Sequence, residues 1–151
     1  MRLPQLQEIW TTDYALTFFS FLAKFIGIVF ITLGVGAAFL GFVQGIEGIF
    51  TMIVFCISGW LGLLVGKGLS QKERFVILII FVLFSISVFH SISNPAPQNL
   101  GVFVTAIFTA IALGFIWKKE DDFKGPWLKP LPAILAIIVA VFWVLVSYLA
   151  Q

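Results

Sequence analysis

Five apolar runs, residues 25–43, 49–66, 75–91, 100–117 and 131–149, contain 91 of the 151 residues and none of the 16 formally charged ones. That separation constrains the fold more than any other feature. A bilayer's hydrocarbon core is about 30 Å thick and a helix rises about 1.5 Å per residue, so roughly 20 apolar residues make one crossing. Runs of 17 to 19 residues nearly reach that length, and flanking residues complete each span. Strands of a membrane barrel would alternate apolar and polar positions over about ten residues. The stretch from Phe75 to Phe84 is apolar throughout and does not alternate. The expected fold is an all-α integral membrane protein, with five transmembrane helices in a single transmembrane domain over 1–151. Composition agrees, since 61% of the residues are apolar and 11% charged, unlike an ordinary water-soluble domain. A net charge of +2 is too small to argue for a nucleic-acid partner.

The cations set the orientation, because Lys and Arg near span ends are retained on the cytoplasmic side. Arg2 and Lys24 precede the first run; Lys67, Lys72 and Arg74 fill the second loop; Lys118, Lys119, Lys124 and Lys129 fill the fourth. The first loop, the third loop and the tail carry none. This strict alternation predicts a cytoplasmic N-terminus, an outside C-terminus and an odd number of crossings. The first run is too long for a signal peptide and lacks a short basic leader, so it reads as a retained span. Residues 1–24 form a cytoplasmic or interfacial segment. Leu3, Leu6, Ile9 and Trp10 share one helical face, which suggests an interfacial amphipathic helix that turns into the bilayer, with Lys24 snorkelling to water. The competing reading is a helix running tilted out of the membrane, capped at Thr12 or Asp13.

Association of helices in lipid depends on close backbone approach, which small residues four apart permit. Ala37, Gly41 and Gly45 form such a row, as do Ser58, Gly62 and Gly66 in the second span, and Ala106, Ala110 and Gly114 in the fourth. Ten of the 13 glycines fall between Gly27 and Gly68, so the first two spans are expected to form a tight antiparallel hairpin. The alternative use of these rows is an oligomerisation face. The third and fifth runs contain no glycine and are expected to meet lipid or a partner.

Chemistry-bearing residues are few. His90, near the outside end of the third run, is the only ionisable group there and a weak candidate for holding a cofactor; one histidine does not supply paired haem ligands. Glu47 lies at the same expected level and could form an outside polar pair with His90. Cys56 is the only cysteine, which excludes an internal disulfide, and its apolar setting disfavours a thiolate. No metal site, cofactor set or catalytic triad is indicated. The fourth loop reads as a solvated charged turn, with Trp117 and Trp127 as interfacial anchors beside its four lysines, as Trp10 is at the N-terminal segment. Trp60 and Trp143 lie deeper and are expected to contact other helices; stacking against a quinone or pigment is the lesser reading.

The expected function is therefore a non-enzymatic accessory, scaffold or assembly subunit of a larger membrane complex. Its partners would be membrane lipids and either other membrane subunits or copies of itself. Alternatives are a small oligomeric transporter or channel and, after it, a membrane-embedded enzyme acting on lipid. A bacterial inner membrane fits, as does a thylakoid or organellar one.

Overall fold

The computed structural model describes the backbone of residues 3–44, 46–93 and 100–149; the side chains of 3–12, 40–44, 46–48, 51, 87, 90, 91, 93, 100–103, 105, 143, 144 and 146–149 lie outside the described residues. Helices α1 (Leu3–Gln44), α2 (Ile46–Ser70), α3 (Phe75–Ser93), α4 (Leu100–Trp117) and α5 (Pro130–Leu149) account for nearly all of it, with one 3-10 turn at Glu120–Asp122. Helix α1 has 42 residues and is about 63 Å long, longer than a bilayer is thick.

Helix α1 runs unbroken through residue 25, as in the reading of a helix that continues out of the apolar run, although it begins well before Thr12. No turn separates the amphipathic stretch from the apolar one, and Thr12 and Asp13 sit inside the helix rather than at a cap. The reason is that the stretch has partners. Asp13 is ion-paired to Lys119 at 2.7 Å, and the Lys24 ammonium donates to the Ser70 hydroxyl at 2.8 Å instead of reaching for water. Within the described side chains of α1, Asp13–Phe39 is long and apolar enough to cross a membrane.

Helices α1 and α2 form the most extensive pair, and they run antiparallel: Ser20 meets Gly66, Gly27 meets Gly59 and Gly34 meets Cys56. Glycine is required at the crossing. A Cβ on Gly27 would sit 2.7 Å from the Gly59 carbonyl oxygen, and one on Gly59 would sit 2.6 Å from that of Gly27. Such backbone-to-backbone contact is what small residues permit in lipid, where apolar side chains gain little by leaving it. The buried Ser20 hydroxyl adds an interhelical hydrogen bond, donating to the Gly66 carbonyl at 2.7 Å.

The remaining contacts close a ring: α2 lies on α5, α5 on α3, α3 on α4 and α4 on α1, with α2 also touching α3. The described core is concentrated at one end, where Leu16, Leu61, Val65, Leu69, Phe75, Val76, Ile79, Ile80, Ile116 and Phe123 cluster. The start of α3 is thus buried in the bundle, while Leu78, Phe81, Phe89 and Ile92 leave other parts of this glycine-free helix open to lipid or a partner. Val76 is 0% exposed because Gly68 of α2 leaves room for it. Helix α5 is two-faced, with Ala136 and Val139 inward and Ile134, Ile137, Ile138 and Val141 outward.

Two segments are long and apolar enough to cross a membrane, Asp13–Phe39 and Met52–Ser70. Length and composition alone are weak support for a membrane protein, since a soluble core helix passes the same test. Such a core helix would be mostly buried, whereas only 17% of the first window and 39% of the second are. Phe18, Phe21, Phe25, Ile28, Leu33 and Phe39 instead line the open side of α1. A continuous apolar surface of that kind signals a membrane or a partner.

Candidate functional site

The polar chemistry of the described residues gathers at the end of the bundle where the α2–α3 and α4–α5 connections meet α1. The α2–α3 connection begins as a Schellman motif. Glu73 N–H donates to the Gly68 carbonyl at 2.9 Å and Lys72 N–H to that of Leu69 at 3.2 Å, closing off the last turn of α2. Lys72 occupies the left-handed position of that motif, with φ of 51°, where glycine is usual. The α4–α5 connection folds through the 3-10 turn and a Gly125 at φ 89°, and it plants Phe123, 0% exposed, in the core.

The two connections are stitched together through their backbones. Lys124 N–H donates to the Lys72 carbonyl at 2.8 Å and Arg74 N–H to the Lys124 carbonyl at 3.0 Å, an isolated parallel bridge. Arg74 Nε reinforces it by donating to the Phe123 carbonyl at 2.9 Å. Ion pairs then bind the stitched loops to α1 and to α5. Lys119 Nζ lies 2.7 Å from Asp13 Oδ1, Lys72 Nζ lies 3.5 Å from the same oxygen and 3.2 Å from Asp122 Oδ2, and Lys129 Nζ lies 2.7 Å from Glu73 Oε1. Burial pulls the Lys72 ammonium down, but the hydrogen bond to Asp122 and the charges of Asp13 and Asp122 outweigh it, so its pKa stands above the usual 10.5. Two cations also sit over rings: Arg74 Cζ is 5.7 Å from the Trp127 ring centre and Lys129 Nζ 4.9 Å from that of Phe75.

The fourth loop is therefore a folded clamp rather than only a solvated turn. The Lys119 side chain is 15% exposed. Lys118 and Lys124 stay at the surface, as do Trp117 and Trp127 at the same end. Trp60, expected among helix contacts, is 56% exposed and faces outward.

Of the small-residue rows, the second contributes most to the α1–α2 crossing. Gly62 lies against Ala23 and Gly27, and Gly66 against Ser20 and Lys24, while Ser58 is half-buried beside them. Ala37 is half-buried; Gly41 and Gly45 lie outside the described residues. In the fourth helix Ala106 is buried, but Ala110 is exposed and a Cβ on Gly114 would meet nothing within 4 Å. Beyond Ala106 that row does not pack against described residues, because there α4 turns another side, Ala112 and Ile116, to the core. Cys56 packs its sulfur against Gly34. The side chains of Trp10, Glu47, His90 and Trp143 lie outside the described residues, so the proposed Glu47 and His90 pair is not placed. Among the described residues no three His, Cys, Asp or Glu side chains converge as a metal site requires.

Sequence reading missed Gly27, Gly34 and Gly59 as the crossing points, and Asp13, Lys72 and Glu73 as the clamp. The first set was findable, since Gly27 and Gly34 are seven apart and therefore share a helical face. The second was not, because nothing local marks which acid meets which lysine. Compared with known protein families, curated proteins and solved structures, the chain matches none.

Proposed function

We infer that this chain is a multi-pass membrane protein with five crossings, a cytoplasmic N-terminus and an outside C-terminus, serving as an accessory, scaffold or assembly subunit of a larger membrane complex. One observation carries the reading: the three cation-bearing stretches meet at one end of the bundle and hold one another there. Asp13 of α1, Lys72 and Glu73 before α3, and Lys119, Asp122 and Lys129 around the α4–α5 connection pair among themselves. Two connections at one end, each reached by a pair of antiparallel helices, are what the alternation of cations along the chain requires. Asp13, Lys72, Glu73, Lys119, Asp122 and Lys129 are engaged in fixing the cap, and the outward surfaces of α1 and α5 are apolar, as befits a part that neighbours in the membrane pack against. Bacterial inner membranes and thylakoid or organellar membranes provide such complexes.

The test is extraction in mild detergent followed by analysis of what co-purifies. Stoichiometric partner chains support the subunit reading. A homo-oligomer free of partners that exchanges solute in liposomes replaces it with the transporter or channel reading, and loss of that exchange in Glu47→Gln or His90→Ala would locate its pathway. Turnover of lipid by the pure protein would install the enzyme reading instead.

A further inference from the structure

Beside the cap, between α3 and α5, lies a half-open cleft of about 170 Å³. Phe75, Leu78 and Val82 of α3 form one wall, Ala133 and Ile137 of α5 the other, and Trp127 lies at the cap end. From Phe75 to Val82 the cleft runs down α3 for about 10 Å, starting at the charged end and continuing among apolar side chains only. An apolar slot that begins beside the charged cap has the polarity profile of an acyl chain and its headgroup.

The charge at the cap end narrows the class of headgroup. Lys129 borders the cleft, but its ammonium is neutralised by Glu73 at 2.7 Å. Arg74 has no carboxylate partner among the described residues. Its Nε is committed to the Phe123 carbonyl, its guanidinium lies over the Trp127 ring, and its two Nη groups have no protein acceptor among the described residues. Lys124, backbone-bonded to Arg74, adds an exposed cation. A guanidinium fork held in place through Nε and an aromatic face, with its Nη donors open, matches a phosphate that accepts two parallel hydrogen bonds. Unneutralised cations beside it favour a headgroup of net negative charge over a zwitterionic one.

We propose that the α3–α5 cleft binds one acidic phospholipid, with an acyl chain between the helices and the phosphate on Arg74. The site rests on the orientation inferred above, which puts the cap at a lipid headgroup layer. It does not depend on which complex the chain serves.

The experiment is native mass spectrometry of the full chain released from nanodiscs of equal phosphatidylglycerol and phosphatidylcholine with identical acyl chains. One retained phosphatidylglycerol is expected, favoured over phosphatidylcholine by about tenfold, the order of one or two close cationic contacts. Arg74→Gln retains a donor for the Phe123 carbonyl but removes the charge, and it should erase that preference. Ala133→Leu fills the slot with an apolar side chain and should reduce retention of both lipids about tenfold. Circular dichroism of each variant separates loss of the site from loss of the fold, and Arg74→Lys, which keeps the charge without the fork, provides a second reading if Arg74→Gln unfolds. Equal retention of the two lipids by the native chain, an unchanged preference in folded Arg74→Gln, undiminished retention of phosphatidylglycerol in folded Arg74→Lys, or binding of soluble glycerol phosphate as tight as that of the lipid would overturn the proposal. A labelling result that reverses the orientation sinks the topology instead, so the two failures are distinguishable.

Discussion

Lys72 holds a backbone conformation that costs an L-residue about 1 kcal/mol, in a motif that normally selects glycine. What its side chain returns is the bridge between Asp13 and Asp122. Those two effects separate by mutation. Lys72→Ala keeps the strained backbone and removes the bridge, so it should lower unfolding stability in detergent by about 0.5–1 kcal/mol, the upper range for partly exposed pairs. Lys72→Gly removes the bridge and relieves the strain, and its thermal midpoint should return to within error of the native protein. A Lys72→Ala protein as stable as the native one would show that the bridge contributes nothing. The pH dependence has a definite sign. A lysine whose folded pKa is raised contributes stability that is fully present below its ordinary 10.5 and is lost as pH rises through the higher folded value. The difference between native protein and Lys72→Met should therefore be constant from neutral pH to about 10 and shrink above 10.5. The exposure of the pair, 37% for the lysine side chain, keeps the whole effect small and sensitive to salt.

Between elements, the α1–α2 crossing and the exposed row on α4 make opposite predictions from the same residue type. Gly59→Leu drives a side chain into the Gly27 carbonyl and the backbone nitrogen of Ile31, atoms that move only if the helices separate. The cost should reach the overpacking range of about 1–3 kcal/mol or more, read as a lower thermal midpoint in detergent. Gly114→Leu, with open space at its Cβ, should leave the midpoint of the monomer unchanged or raise it slightly, since leucine is the better helix former. A fall in midpoint for Gly114→Leu, comparable to that of Gly59→Leu, would mean that α4 packs through its small face after all. This contrast also marks the limit of what the sequence could disclose. Five helices, the approximate ends of the last four and the α1–α2 pairing were legible, because uncharged apolar runs and short glycine-rich connections report on single elements and immediate neighbours. Which side of α4 turns inward was not, since Ala110 and Gly114 satisfy the spacing rule equally well whether a partner is present or absent. The clamp was also illegible. Asp13 and Lys119 are brought within 2.7 Å only by the closed ring of helices, and no local pattern encodes a contact 106 residues apart.

At the scale of the whole molecule, the cap and the charge alternation must agree or fail together. If the chain crosses five times, the α2–α3 and α4–α5 connections share a compartment with the N-terminus, and the ion pairs of Asp13 with Lys72 and Lys119 form without any charge entering hydrocarbon. If one of the first four runs stayed out of the membrane, the segments after it would change sides, and either Lys119 or Asp13 would have to cross about 30 Å of hydrocarbon to meet its partner. Isolated charges at that depth cost at least ~2.5 kcal/mol each on the most lenient scale, more than a partly exposed ion pair provides, so the pairing requires an even number of crossings between Asp13 and Lys119, as four spans there supply. Cys56 is the only native cysteine, which makes the issue measurable by single-cysteine labelling in a Cys56→Ala background. In intact cells, a membrane-impermeant maleimide should label Gln98→Cys and Gln151→Cys from outside and leave Gln5→Cys and Gln71→Cys unlabelled until the membrane is opened. Labelling of Gln5→Cys and Gln71→Cys from opposite sides would contradict the cap, and labelling of Gln5→Cys and Gln151→Cys from the same side would give an even number of crossings and overturn the orientation and the subunit reading built on it.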